Sequence, residues 1–250
     1  MKAVILAAGK GTRMRHLTAD MPKPMLQVRG RPVLEYVVNG IVAAGIRELF
    51  IVTGYRAEVI ETHFGDGARF GAQIVYGRQL IQDGTGKAVE IAKGFLGTSP
   101  FLLIYGDILV QPETYRHAIE RFQLGDVSAV IAARHGEDVT KGGLLIFDEK
   151  FELKRVLEKP SDAQLTALRE AGMINLSGPL WYNAGIYVFS HVLFEFTARL
   201  EKSPRGEFEL TDALNAMLHA GHRIAGVEVR QLWLDVRDPE ALAEAERLLS

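Results

Sequence analysis

The chain has 250 residues, with 48% apolar and 24% charged side chains and no cysteine. That length suits one large domain or two small ones, and the composition is that of a soluble globular protein. The missing cysteine excludes disulfides, thiolate metal sites and a cysteine nucleophile. Twenty-nine basic residues against 31 acidic ones leave a net charge of −2. That balance argues against a general nucleic-acid or anionic-membrane binder. The start is too short for a signal peptide, and no apolar run reaches the roughly 18–20 residues of a membrane span. A cytoplasmic protein is the expectation.

Short apolar runs alternate with helical patterns. Val4-Ile5-Leu6-Ala7 reads as a fully buried strand. Apolar residues from Val33 to Val42 recur at helical spacing, with Pro32 before them and Gly45 after. Leu49–Val52 predicts a strand, 57–64 a helix and Ile74–Tyr76 a short strand. Ala88, Ile91, Ala92 and Phe95 predict one helix. Phe101–Tyr105 predicts another buried strand, and a helix follows Pro112. Strands alternating with helices imply a mostly parallel sheet covered on both faces.

After about residue 125 the pattern changes. Strands are expected over 127–133, 143–147, 151–157, 185–189, 225–229 and 232–234, and helices over 161–172, 210–220 and 239–249. No Pro/Gly/Ser-rich linker intervenes. The expected architecture is a single α/β domain over 1–250. It is a Rossmann-like mixed, mostly parallel sheet flanked by helices on both faces. The first half, to about residue 125, has nucleotide-binding character.

The sharpest local signal is Ala8-Gly9-Lys10-Gly11-Thr12-Arg13, directly after the first strand. Glycines let backbone N–H groups approach a ligand. Lys10 and Arg13 add positive charge, and a guanidinium holds phosphate oxygens bidentately. Met14 stands where a dinucleotide fingerprint needs its third glycine, and Gly86-Lys87 lacks the Ser/Thr of a Walker loop. Taken alone, the segment also fits a solvated glycine turn.

Pro22-Lys23-Pro24 fixes the backbone around a lysine, as a placed cation or simply a stiff loop. Thr85, in Asp83-Gly84-Thr85-Gly86, is the expected N-cap of the next helix. Asp107 ends the apolar run 101–105, where open α/β sheets bind ligands, and Asp235 repeats the arrangement after Leu232-Trp233-Leu234. Two such carboxylates beside phosphates suit Mg²⁺, although either alone fits a cap or a turn. Glu158-Lys159-Pro160 closes one strand and Asn183-Ala184-Gly185 opens another. A lysine and an amide at strand ends could hold a phosphate and hydroxyls of a second substrate, but alone a local salt bridge and a turn are the better readings. His219 and His222 read as structural, since Gly221 ends the helix between them. No G-x-S-x-G elbow supports serine hydrolysis.

Together these segments make the family recognisable. Leu6–Arg13 followed by Pro22-Lys23-Pro24 resembles the opening signature of the sugar-1-phosphate nucleotidylyltransferases. Gln79, Asp83–Gly86, Tyr105–Asp107, Glu158–Pro160, Asn183–Tyr187, Glu209–Asp212 and Trp233–Asp235 follow in the family's order. The resemblance spans residues 2–240 and implies roles. Ala8, Gly9, Gly11, Thr12 and Arg13 would hold the nucleoside triphosphate, with Gln79, Gly84 and Thr85 at its base. Lys23 would join Arg13 and Asp107 at the reacting centre. Asp107 and Asp235 would hold Mg²⁺. Lys159 would grip the sugar phosphate, with Gly143, Glu158 and Asn183 facing the sugar.

The implied reaction is in-line displacement of pyrophosphate by a hexose-1-phosphate, with UTP or dTTP. The implied partners are therefore these two small substrates, and homo-oligomerisation is left open. Asp235 resembles the neutral-hexose branch, whereas Gly84-Thr85-Gly86 and Tyr105-Gly106-Asp107 resemble the amino-sugar branch. The sugar thus stays open. His16 replaces a proline common in the first loop. The left-handed β-helix of some relatives, and its acetyltransferase activity, are not expected. Segment 161–180 is expected to form a flap near the sugar. Other readings are CTP or GTP with another sugar or alcohol phosphate, and a catalytically silent regulatory homologue. A glycosyltransferase of related fold would need a D-x-D motif, which Asp107-Ile108-Leu109 does not supply.

Overall fold

The computed structural model describes residues 1–175 and 180–249. Its first strands are β1 (Lys2–Leu6), β2 (Gln27–Val28), β3 (Arg31–Pro32), β4 (Glu48–Thr53), β5 (Gln73–Arg78), β6 (Phe101–Tyr105) and β7 (Ile108–Val110). The later ones are β8 (Ala129–His135), β9 (Gly143–Phe147), β10 (Leu153–Glu158), β11 (Trp181–Phe189), β12 (Ile224–Glu228) and β13 (Trp233–Asp235). Helices α1 (Val33–Ala43), α2 (Ala57–Phe64), α3 (Thr85–Glu90), α4 (Lys93–Leu96) and α5 (Pro112–Gln123) belong to the first half. Helices α6 (Asp162–Glu170), α7 (Leu193–Thr197), α8 (Leu210–His219) and α9 (Pro239–Leu248) belong to the second.

Among the described residues, nine strands form one sheet, ordered β10-β9-β11-β6-β1-β4-β5, with β8 pairing β11 and β12. Strands β6, β1, β4 and β5 are parallel neighbours, and so are β8 and β12. β11 is antiparallel to β6, β8 and β9, and β10 is antiparallel to β9. Only β10 and β11 therefore oppose the common direction, which is the mixed, mostly parallel sheet expected. The β6–β11 pairing joins strands from either side of residue 125.

Alternation along the strands loads both faces. Ala3 and Ile5 of β1 belong to the core that includes residues of α1, α2, α5 and α6, while Val4 belongs to the core on the other face with residues of α3, α4, α7 and α8. Phe101 meets Phe189 at 5.8 Å and Phe194 at 5.7 Å between centroids. Each large apolar side chain buried this fully contributes about 1.5–3 kcal/mol. A third, smaller core joins Met14, Leu26, Val28 and Val33 to Leu234, Val236 and Ala241. It fastens the first loop to the C-terminal segment.

Three expectations need adjusting. The single helix expected through Ala88–Phe95 is two, because Ile91 and Ala92 N–H groups bond three residues back and tighten the turn. β11 begins at Trp181, ahead of the expected Gly185. Strands β2, β3 and β7 and helix α7 span two to five residues, too short for periodicity to register. Among the described residues, no helix is long and apolar enough to cross a membrane.

Candidate active site

A cavity of about 390 Å³ opens at the carboxyl ends of β1 and β6 and runs to the ends of β9 and β10. Ala8, Gly9 and Arg13 border it on the first-loop side. Gly11 and Thr12 do not, contrary to expectation. The Gly11 carbonyl accepts from the Met14 N–H at 2.9 Å and the Thr18 hydroxyl at 3.1 Å, and φ is +68°. A Cβ there would sit 2.6 Å from the Lys23 Cβ. Gly11 is thus glycine so that Lys23 can pass beside it. Thr12 is exposed and opens a 3₁₀ turn, Thr12–Thr18.

Lys23 begins a second 3₁₀ turn, and its Nζ is ion-paired with Asp107 and lies 4.0 Å from Asp235 Oδ1. Asp107 follows β6, whose end is pinned by the Gly106 N–H donating to the Leu6 carbonyl at 2.9 Å. Asp235 reaches the same point by a different route from the one expected. It does not end a parallel strand. β13 pairs antiparallel with β7, with Asp235 opposite Ile108, and the Val236 N–H donates to the Asp107 carbonyl at 3.0 Å. This two-stranded ribbon brings carboxylates from opposite parts of the chain together. Each side chain keeps 19% exposure. Burial pushes the Asp235 carboxyl well above its usual range, and the Asp107 charge pushes it further. Lys23, Arg237 and Arg13 pull it back.

At the end of the cavity beside α3, buried Gln79 donates through Nε2 to the Gly84 carbonyl at 3.1 Å. Thr85 does not cap its own helix. Gly84 occupies that position, and the Thr85 hydroxyl accepts the Leu210 N–H at 3.1 Å, at the start of α8. The Phe208 N–H donates to the Asp83 carbonyl at 2.7 Å, and the Gly86 N–H donates to the Phe208 carbonyl at 2.9 Å. Gly84 has φ +128°, and a Cβ on it would collide with the Phe208 backbone. Gly84→Ala is expected to cost about 1–3 kcal/mol through backbone strain and steric overlap. A thermal unfolding scan should show Tm lower by roughly 2–12 °C.

At the other end, Gly143 opens β9 against the Asn183 side chain. Glu158 is the last residue of β10 and lies inside the strand rather than after it. Burial pushes its carboxyl above the usual range, with Lys159 and Arg205 opposing. Lys159 has φ +43°, and its N–H donates to the Gly142 carbonyl at 2.6 Å. Asn183 lies within β11, at its register shift, rather than opening the strand. Its Nδ2 donates to the Tyr187 hydroxyl at 2.7 Å and its Oδ1 accepts the Gly185 N–H at 3.1 Å.

Arg205 and Glu209 are among the lining residues to which the sequence assigns no role. Arg205 Nη1 lies 3.3 Å from Glu158 Oε1 and 3.0 Å from Glu209 Oε1, and Glu209 is buried. Arg205 sits in an irregular loop without a sequence signal, whereas Glu209 belongs to a recognisable segment. Among the described residues of the expected flap, none borders the cavity. α6 instead packs Leu165 and Leu168 into the core, and residues 176–179 lie outside the described ones.

A family model described as "Nucleotidyl transferase" matches residues 2–250. The chain belongs to this family. It is 34% identical over 250 residues to the low-salt glycan biosynthesis nucleotidyltransferase Agl11 of Haloferax volcanii, covering all of this chain and 66% of that protein. It is 29% identical over 252 residues to the UTP–glucose-1-phosphate uridylyltransferase AglF of the same organism, covering 100% and 96%. A solved structure assigned to a Bacillus anthracis glucose-1-phosphate thymidylyltransferase, in complex with a sucrose, superposes with a TM-score of 0.84. Identity there is 25%, over 99% of this chain and 94% of that one. The resemblance to sugar-1-phosphate nucleotidylyltransferases, and the fold it implied, therefore hold for this chain.

Proposed function

We propose that this chain joins a nucleoside triphosphate, UTP or dTTP, to a hexose-1-phosphate, releasing pyrophosphate with the help of Mg²⁺. The observation that carries the reading is Lys23 between Asp107 and Asp235, at the middle of a cavity with distinct ends. Gln79 and Gly84 border the base end, and Glu158, Lys159 and Asn183 the sugar end.

A sugar phosphate is already an ionised nucleophile, so the protein needs no activated serine, cysteine or histidine. Its work is positioning and charge stabilisation. Arg13 and the Ala8–Gly9 backbone hold the triphosphate, and Lys23 meets the charge that develops at the α-phosphorus. Lys159 grips the incoming phosphate, fixed by its own N–H bond to Gly142. Gly143 and Glu158 face the sugar. Asn183 is already bonded through both amide atoms, so it also shapes that wall.

The aspartate pair fits a divalent cation. Two adjacent, mostly buried carboxylates face one lysine; burial first, and the Asp107 charge second, raise the Asp235 carboxyl, and a divalent cation would offset both. Hard carboxylate oxygens beside phosphates are the donor set Mg²⁺ takes, and bound there it stabilises phosphate charge as a Lewis acid. For the base, the bond from Gln79 Nε2 to Gly84 leaves the Gln79 oxygen to accept a hydrogen bond. Uracil and thymine offer an N3–H donor to it, and cytosine does not. The uridylyl- and thymidylyltransferase names among the relatives support the same choice.

A matrix of nucleoside triphosphates against sugar-1-phosphates, followed by pyrophosphate release, tests the proposal. UTP or dTTP with a hexose-1-phosphate should be the best pair, and turnover should stop with a chelator. Silence across the matrix would overturn the enzymatic reading. Best turnover with CTP or GTP would overturn the base assignment.

A further inference from the structure

The segment from Ala8 to Asp20 leaves β1, carries Arg13 past the cavity and returns toward Lys23. It contains a kink at Arg15, a non-glycine residue at φ +55° and ψ −123°. Such backbone is strained and persists only where its surroundings hold it. Within the segment, buried Thr18 donates to the Gly11 carbonyl. Outside the segment, Met14 anchors its middle in the third core, and one residue just beyond β4 braces the rest.

Tyr55 meets the segment at its start, middle and end. Its N–H donates to the Ala8 carbonyl at 3.1 Å. Its ring lies 5.4 Å from Lys10 Nζ, within cation–π range. Its hydroxyl donates to the Ala19 carbonyl. The neighbouring Arg56 adds an ion pair to Asp20 at 3.0 Å. That pair is exposed, so it contributes little on its own. The preceding Gly54 presses on Ala8 so closely that a Cβ would lie 2.6 Å from the Ala8 carbonyl oxygen.

We propose that Tyr55 is a positioning residue that latches the 8–20 segment shut, holding Arg13 and the Ala8–Gly9 backbone ready for the triphosphate. Tyr55 itself does not border the cavity. It acts through the loop ends, so the open loop loses triphosphate affinity while the sugar end is untouched. The affinity part rests on the proposed function, whereas the latch is a statement about the loop alone.

Two readouts separate the two. Trypsin can cut after Lys10, Arg13 and Arg15 once the loop opens. Tyr55→Phe removes one hydrogen bond and keeps the ring. It should raise the cleavage rate there by about fivefold, the net worth of one such bond, and raise the KM for the triphosphate by at most that factor. Tyr55→Leu also removes the ring under Lys10, so it should raise cleavage more than about tenfold and the triphosphate KM more than the Phe variant does. The KM for the sugar phosphate should stay within about twofold in each. Thermal unfolding checks that the variants fold, and the Phe variant decides the matter if the Leu variant does not. Unchanged cleavage at all three sites would overturn the latch, even if the wild type turned over no substrate. Faster cleavage with an unchanged triphosphate KM, or an equal rise in both KM values, would overturn the positioning role.

Discussion

Asp107→Asn and Asp235→Asn should each lower the rate of pyrophosphate release by at least about 10²-fold, the usual loss when one oriented electrostatic group leaves a reacting centre. The substitutions keep shape and remove charge. The folding consequence should be small, because main-chain bonds secure both residues. Asp235 is held by its register with Ile108, and the Val236 N–H donates to the Asp107 carbonyl rather than to its side chain. Unchanged thermal unfolding together with a collapsed rate would therefore assign the loss to chemistry. The two carboxylates act on one charge, so the double variant should fall short of the product of the single losses. Each single variant should also need more Mg²⁺ to reach half its maximal rate. Near-wild-type rates in both would mean the metal is held elsewhere.

How these groups meet was only partly legible in the sequence. Strands such as β1 and β6 are continuous apolar runs because both sheet faces are covered, and α1 carries a clear helical period between Pro32 and Gly45. Those patterns are local, so they can be read locally. Asp107 was placed correctly for that reason, since it ends such a run. Asp235 was not, because it depends on β7 and β13, three-residue strands whose pairing has no periodic signature. The same limit hid the true partner of Thr85. Its hydroxyl serves a helix that begins at Leu210, and no spacing rule near residue 85 announces that. Gly11 shows the opposite failure. Its place in the loop points to a ligand contact, but the close neighbour it makes room for is Lys23. Arg205 lies in a loop held by tertiary bonds, where composition carries no signal.

Lys23→Met should be the most damaging single change in the site, lowering the rate by about 10³-fold or more. Its ammonium is ion-paired with Asp107 and sits 4.0 Å from Asp235, so it is the cation nearest both carboxylates among the described residues. Two consequences follow from removing it. The charge that develops on the phosphates loses its protein counter-charge, which is the kinetic loss. The two aspartates are also left facing each other, and removing one partner of a shielded pair strands the other's charge. Lys23→Met should therefore lower the thermal midpoint without ligand, unlike Asp107→Asn. Added Mg²⁺ should restore part of that midpoint, because a divalent ion offsets the same repulsion. Combining Lys23→Met with Asp107→Asn should recover the midpoint while leaving the rate at its floor. That contrast separates the lysine's two roles. A stability loss that Asp107→Asn does not relieve would trace to packing against Gly11 instead. An unimpaired rate would remove Lys23 from the chemistry.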